Sequence, residues 1–209
     1  MGFSLEWLAI KDASADQVCA ALGVERTGAF GDALSAPIMG VALPSGHYLV
    51  LVDDRSREVV MLHDSFVDDP GLENEVLSFA CNDGIMMTAL QSWTNGNCNW
   101  IVSRWEPNED CELEGPVPEA FHEINAKLQA KQQNSQDADY IYDATAELGK
   151  ALTGFRHDEA FDDPTLRFEV LRLRPDSRFR IPSRSNAPQS GGTPRSSATP
   201  RGKPWWKFW

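Results

Sequence analysis

The sequence predicts an α+β fold: a mainly antiparallel sheet with about three helices over residues 1–175. A disordered basic linker (176–204) and an aromatic tip (205–209) are expected to follow. Three observations carry the prediction. Asn95-Gly96 lies between two apolar runs and is the preferred pair for a two-residue type I′ turn, so residues 85–105 read as a long antiparallel hairpin. "HYLVLVDD" (47–54) is apolar too continuously to leave one face in water, which marks a strand buried on both sides. Two segments after Pro118 carry apolar residues at helical spacing.

Taken in chain order, "FSLEWLAI" (3–10) sets Phe3, Leu5, Trp7 and Ala9 on one face of a strand. Ser14 to Gln17 has the form of a capping box, Val18, Cys19 and Leu22 follow at helical spacing, and Gly23 ends the helix. Residues 24–46 read as loop, with Gly28, Gly31, Pro37, Pro44 and Gly46. "REVVMLHD" fits strand or helix, and "NEVLSFACN" (74–82) reads as strand. A two-residue turn places Trp93 opposite Cys98, Gln91 opposite Trp100 and Ala89 opposite Val102, with Leu90–Ile101 and Ser92–Asn99 on the other face. The tryptophan-bearing face is the expected core face, because aromatic cross-strand pairs stabilise a sheet.

After the acidic connector "EPNEDCELEGPVP", Pro118 suits a first helical turn and Phe121, Ile124 and Leu128 form one stripe. A polar break (132–138) leads to "DYIYDATAELGKALTG", in which Leu148, Ala151 and Leu152 share a face and Gly154 is the expected stop. "TLRFEVLRLR" (165–174) alternates apolar and charged residues and reads as an edge strand guarded by its charges.

A length of 209 residues fits one domain with an appendage, and 42% apolar residues suffice for one core. The net charge of −12 is unevenly spread. Residues 176–209 hold seven basic groups against Asp176, a net of +6; subtracting that from −12 leaves −18 on residues 1–175. Such a body repels nucleic acid and anionic lipid and attracts basic partners. Cys19, Cys81, Cys98 and Cys111 have neither CxxC nor zinc-finger spacing. "MGFSLEWLAIK" lacks the basic n-region of a secretory signal, and Glu6 stands where a myristoylation signal needs Ser or Thr. No apolar run approaches the ~20 residues of a membrane helix. The expected setting is cytoplasmic, with reduced thiols and no cofactor.

Nucleophilic chemistry needs a Cys or Ser, a His base and an orienting group. Cys81 and Cys98 with His47, His63 or His157 are the candidate combinations, but the thiols sit where small apolar filler is expected. In "GFRHDEAFDD" (154–163), Arg156 and His157 are read as neutralising the carbonyls of a helix end capped by Gly154. The pairs Asp53-Asp54, Asp68-Asp69 and Asp162-Asp163 are read as solvated turn carboxylates, since no calcium-loop or zinc pattern accompanies them. No catalytic and no metal-ligating residue is therefore assigned.

Four stretches, "MGFSLEWLAIKD", "GHYLVLVDD", "NCNWIVSRWE" and "DYIYDATAELGKALTGFRHD", together resemble a family of bacterial proteins with no assigned activity. The resemblance implies a bacterial, cytosolic, single-domain α+β protein and carries no functional residues with it. "KPWWKFW" is similar to an aromatic-basic ending on otherwise unrelated bacterial proteins, which implies a portable module.

The segment from residue 176 is rich in Ser, Pro, Gly and Arg and has little to bury, so it reads as a linker. As a flexible coil, 176–204 would span roughly 30 Å. At its end, Trp205, Trp206, Lys207, Phe208 and Trp209 have the composition of an interface anchor. The leading expectation is a non-enzymatic interaction protein, with the toxin-neutralising immunity type as one form of it, whose tip docks on a protein partner or on its own body. A basic partner suits the acidic body. Weak contact of the Trp/Lys tip with a membrane surface is one alternative, and a small enzyme with Cys/His or Asp at strand ends is another. Nucleic acid is not an expected partner.

Overall fold

The computed structural model describes residues 2–53, 73–105, 110–134 and 138–177. Among them are β1 (Ser4–Lys11), α1 (Ala15–Leu22), β2 (Val24–Gly31), β3 (Ile38–Ala42), β4 (His47–Asp53), β5 (Val76–Asn82), β6 (Met87–Thr94), β7 (Asn97–Arg104) and β8 (Glu112–Glu114). They continue with α2 (Glu119–Gln133), a 3₁₀ turn (Tyr140–Asp143), α3 (Ala144–Thr153) and β9 (Phe168–Leu173). One sheet holds all nine strands in the order β2-β9-β3-β4-β1-β5-β6-β7-β8. Every neighbouring pair is antiparallel. The fold is α+β, as the sequence predicts.

The two-residue period of a strand explains why the core has two halves. On β1, Leu5, Trp7 and Ala9 face α2 and α3, while Leu8 and Ile10 face α1. β4 is buried on both sides in the same way, which accounts for its continuous apolar run. Trp7 anchors the larger half: its ring stacks on Phe79 with centroids 5.2 Å apart and meets Phe155 edge-on at 6.3 Å. Truncating so buried a ring costs about 3–5 kcal/mol. Gly149 of α3 rests directly on it, and a Cβ there would lie 2.9 Å from Trp7 Cζ2.

Local signals place the helices. Around α1, Gln17 N–H donates to Ser14 Oγ at 3.3 Å and Ser14 N–H donates to Gln17 Oε1 at 2.9 Å, completing the capping box. Gly23 (φ 64°) closes the helix in the left-handed conformation. In α2, Phe121 and Leu128 are buried and Ile124 packs beside them. In α3 the sheet-facing residues include Thr145, Leu148 and Gly149, whereas Ala151, expected on the apolar face, is exposed.

The hairpin forms with a correction. Asn95 (φ 50°) and Gly96 (φ 73°) both have positive φ, as a type I′ turn requires, and Trp93 pairs with Cys98. A bulge follows, with Asn99 as the extra residue, so Ser92 faces Trp100 and Leu90 faces Val102. One residue of slip exchanges the faces beyond it. Trp93 therefore enters the α1 half of the core and Trp100 the α2/α3 half, instead of sharing one face. Asn99 Nδ2 holds the bulge by donating to Ser92 Oγ (3.1 Å) and Thr94 Oγ1 (3.0 Å).

Residues 24–46, read as loop, contain β2 and β3. β2 is an exposed, polar edge strand with a register shift between Arg26 and Phe30, so its apolar signal is weak. β9, read as an edge, lies inside the sheet between β2 and β3. Its Glu169 is buried and spent internally, accepting from Arg26 Nε (2.7 Å) and Gly28 N–H (3.0 Å). Asp176 and Ser177, assigned to the linker by composition, adjoin the packed body: Ser177 is buried and its Oγ donates to Leu22 O at 3.4 Å. "REVVMLHD" and residues 178–209 lie outside the described residues. Among the described residues no helix is long and apolar enough to cross a membrane.

Candidate functional site

Chemically active side chains converge at the end of the sheet where β1 begins and β5 ends. Asn82 to Met86 turn the chain from β5 into β6, with Met86 at φ 55° and Ile85 58% exposed. Asp83 ties this turn to its neighbours. Its Oδ2 accepts from Phe3 N–H at 2.7 Å and its Oδ1 from the Tyr142 hydroxyl at 2.8 Å. Burial and then Asp83 push the Tyr142 phenol above its usual range, so it remains a donor at neutral pH. Gly2 is needed beside this contact, since a Cβ there would come within 2.6 Å of Asp83 Cβ.

The loop after α3 supplies the opposite wall. Gly154 (φ 80°) stops the helix by donating its N–H to Lys150 O at 2.7 Å. Arg156 does not neutralise helix carbonyls as expected; it binds carboxylates. Its guanidinium reaches Glu147 Oε1 (2.6 Å), Asp143 Oδ1 (3.2 Å) and both oxygens of Asp158 (2.7 and 3.0 Å). Burial works to raise the Asp158 pKa, but the hydrogen bonds and charge of Arg156 outweigh it and hold the carboxyl below its usual value. For Asp143 burial prevails and the pKa is raised.

His157 likewise turns away from the helix end. Its ring meets Phe3 edge-on (centroids 5.1 Å) and Phe79 at a tilt (5.3 Å), and Nε2 stands 3.8 Å from Cys81 Sγ. A nucleophilic pair would hold a thiolate beside an imidazolium. Here burial, then Asp83, push the Cys81 thiol up to about 12, while burial lowers the His157 pKa. Both partners are neutral at pH 7, so the contact is packing between a small apolar thiol and an aromatic ring.

The remaining candidates are accounted for locally. His47 is buried with Nδ1 3.0 Å from Ser45 Oγ, and Ser45 Oγ donates to Thr153 O at 2.6 Å. The serine proton is committed to that carbonyl, so His47 Nδ1 is the donor, the reverse of a base activating a serine. Burial, then Lys11, keep His47 neutral by lowering its pKa. Cys98 is exposed on β7, and Cys19 is buried on the core-facing side of α1 with its thiol pKa raised by burial. Asp163 Oδ1 accepts from Thr165 N–H (2.8 Å) and Oγ1 (2.7 Å), a turn role as expected. His63, Asp54, Asp68 and Asp69 lie outside the described residues. So do Trp205, Trp206, Lys207, Phe208 and Trp209. Among the described residues no three or more His, Cys, Asp or Glu side chains group as metal ligands.

Two features at this end were missed in the sequence. Exposed Ile85 and the part-exposed Phe3, Met86, Tyr142 and His157 occupy one end of the sheet, and Asp83, Asp143, Glu147 and Asp158 surround the same elements. Residues so far apart in the chain carry no joint pattern; the β1–β5 pairing brings Phe3 to the turn after β5, and the packing of Tyr142 and His157 against that end completes the group. No protein-family model, curated protein or solved structure matches the chain.

Proposed function

We propose that the protein is a non-enzymatic, cytoplasmic protein-interaction module that captures a basic partner on its acidic body. Trp205, Trp206, Lys207, Phe208 and Trp209 serve as its docking element. The observation that carries this reading is the patch at the β1–β5 end: an exposed Ile85 and part-exposed aromatic rings, bordered by carboxylates. Apolar anchors inside a charged rim suit protein recognition, and the rim speeds encounter with a partner of opposite charge. The charge of −18 on residues 1–175 supports the same choice of partner. A toxin-neutralising immunity protein is the kind of module this describes. The Cys81–His157 contact, where burial pushes the thiol up and the imidazole down, lends the enzymatic alternative no support.

The test is capture from bacterial lysate by the full chain and by the Trp205→Ala/Trp206→Ala/Trp209→Ala variant, with anionic vesicles as a parallel arm. A discrete basic protein retained more strongly by the full chain is expected. Identical retention by both would remove 205–209 from the docking role. Vesicle pelleting that depends on the tryptophans would favour the membrane alternative.

A further inference from the structure

We propose that residues 203–209 dock in cis on the patch made by Phe3, Ile85, Met86, Tyr142 and His157 and complete with it the surface that a partner meets. The inference rests on the reading of 205–209 as a docking element and names what that element contacts. Three considerations select this occupant.

The first is charge. Residues 178–209 hold seven basic groups and no acid. The patch is bordered by Asp83, Asp143, Glu147, Asp158 and Glu159, with Arg156 and Lys150 as the cations among them. The second is shape and chemistry. Part-exposed rings and the exposed Ile85 side chain suit tryptophan, and Lys203 and Lys207 would meet the carboxylate rim.

The third is where the chain leaves the described body. Ser177 follows β9 and bonds to Leu22 beside Val24, and Val24 pairs with Leu173. Met39–Val170 and Ile38–Val52 set that end of β9 level with Val52, and Glu6–Val52 and Ser4–Asn82 carry the same end across to β5. The exit and the patch therefore share one end of the sheet. Four strand steps separate β9 from β5, about 19 Å at ~4.8 Å per step. Residues 178–202 would reach about 25–30 Å as a flexible coil, close to the optimum for such a tether. An effective concentration of about 1 mM makes even an intrinsic affinity of about 0.1 mM roughly nine-tenths occupied.

Zero-length carbodiimide coupling of the full chain tests this, because it joins a lysine amine to a touching carboxylate. Lys203 and Lys207 are expected to couple within the same molecule to Asp83, Asp143, Glu147, Asp158 or Glu159, at least about fivefold over Glu112 and Glu114 of β8. The yield should not change with protein concentration and should fall in the triple tryptophan variant and in Ile85→Ser, whose altered side chain is exposed. Coupling spread evenly over surface acids, absent, rising with concentration or indifferent to these substitutions would overturn the proposal. If coupling fails while partner capture still needs the tryptophans, the cis contact alone is wrong; if capture is also indifferent, both readings fall.

Discussion

His157 Nε2 stands 3.8 Å from Cys81 Sγ, yet the pair is a packing contact between two neutral groups rather than a catalytic dyad. A thiol with its pKa at about 12 is only about 10⁻⁴ ionised at pH 8. In a native iodoacetamide time course read by peptide mass spectrometry, exposed Cys98 should alkylate first and Cys81 only after unfolding. Cys81 reacting as fast as Cys98 would reinstate it as a nucleophile.

The same burial predicts an acid-sensitive stability. His157 has a folded pKa below its ordinary 6.5, with Arg156, Asp158 and Asp83 facing it, so between those two values the unfolded chain binds more protons. The stabilisation is complete above pH 6.5 and is lost as pH falls through the folded value. Urea midpoints measured from pH 8 to 5 should decline over this window, and His157→Phe should flatten the decline. Some slope will remain, because His47 is lowered in the same direction.

Gly149 offers a packing prediction in which two effects compete. Alanine gains about 1 kcal/mol of helix propensity. Its Cβ would press to 2.9 Å on Trp7, whose ring is fixed between Phe79 and Phe155. Overpacking of about 1–3 kcal/mol should win, giving Gly149→Ala a lower denaturant midpoint. A rise in midpoint would show that Trp7 has room to move.

Arg104 is fully buried on β7 and binds Asp139 Oδ2 at 2.7 Å, tying the entry of the 3₁₀ turn to the sheet. Asp139→Ala leaves that guanidinium with less compensating charge and should cost about 2–4 kcal/mol by equilibrium unfolding. A loss below about 0.5 kcal/mol would place the compensation elsewhere.

What could be read in advance follows from the range of each signal. The α1 capping box, the Gly154 stop, the Asn95-Gly96 turn and the doubly buried β4 are encoded within a few residues. β2 was missed because an exposed edge strand has no apolar face to betray it, and β9 was misplaced because Glu169 carries a charge into the interior to meet Arg26 and Gly28. The bulge at Asn99 depends on a side chain bonding across the ladder, which alternation alone does not show. The patch was invisible for a related reason: Phe3, Ile85, Tyr142 and His157 meet only through strand pairing and the course of the loop after α3.

Salt-dependent capture is the decisive measurement for an acidic interaction module that docks through its aromatic segment. The full chain and the Trp205→Ala/Trp206→Ala/Trp209→Ala variant would be immobilised at equal density and challenged with bacterial lysate at low and high salt. A discrete basic partner is expected, held by the full chain, weakened in the variant and released as salt screens the acidic body. Retention that is equal for both proteins and unaffected by salt would contradict it.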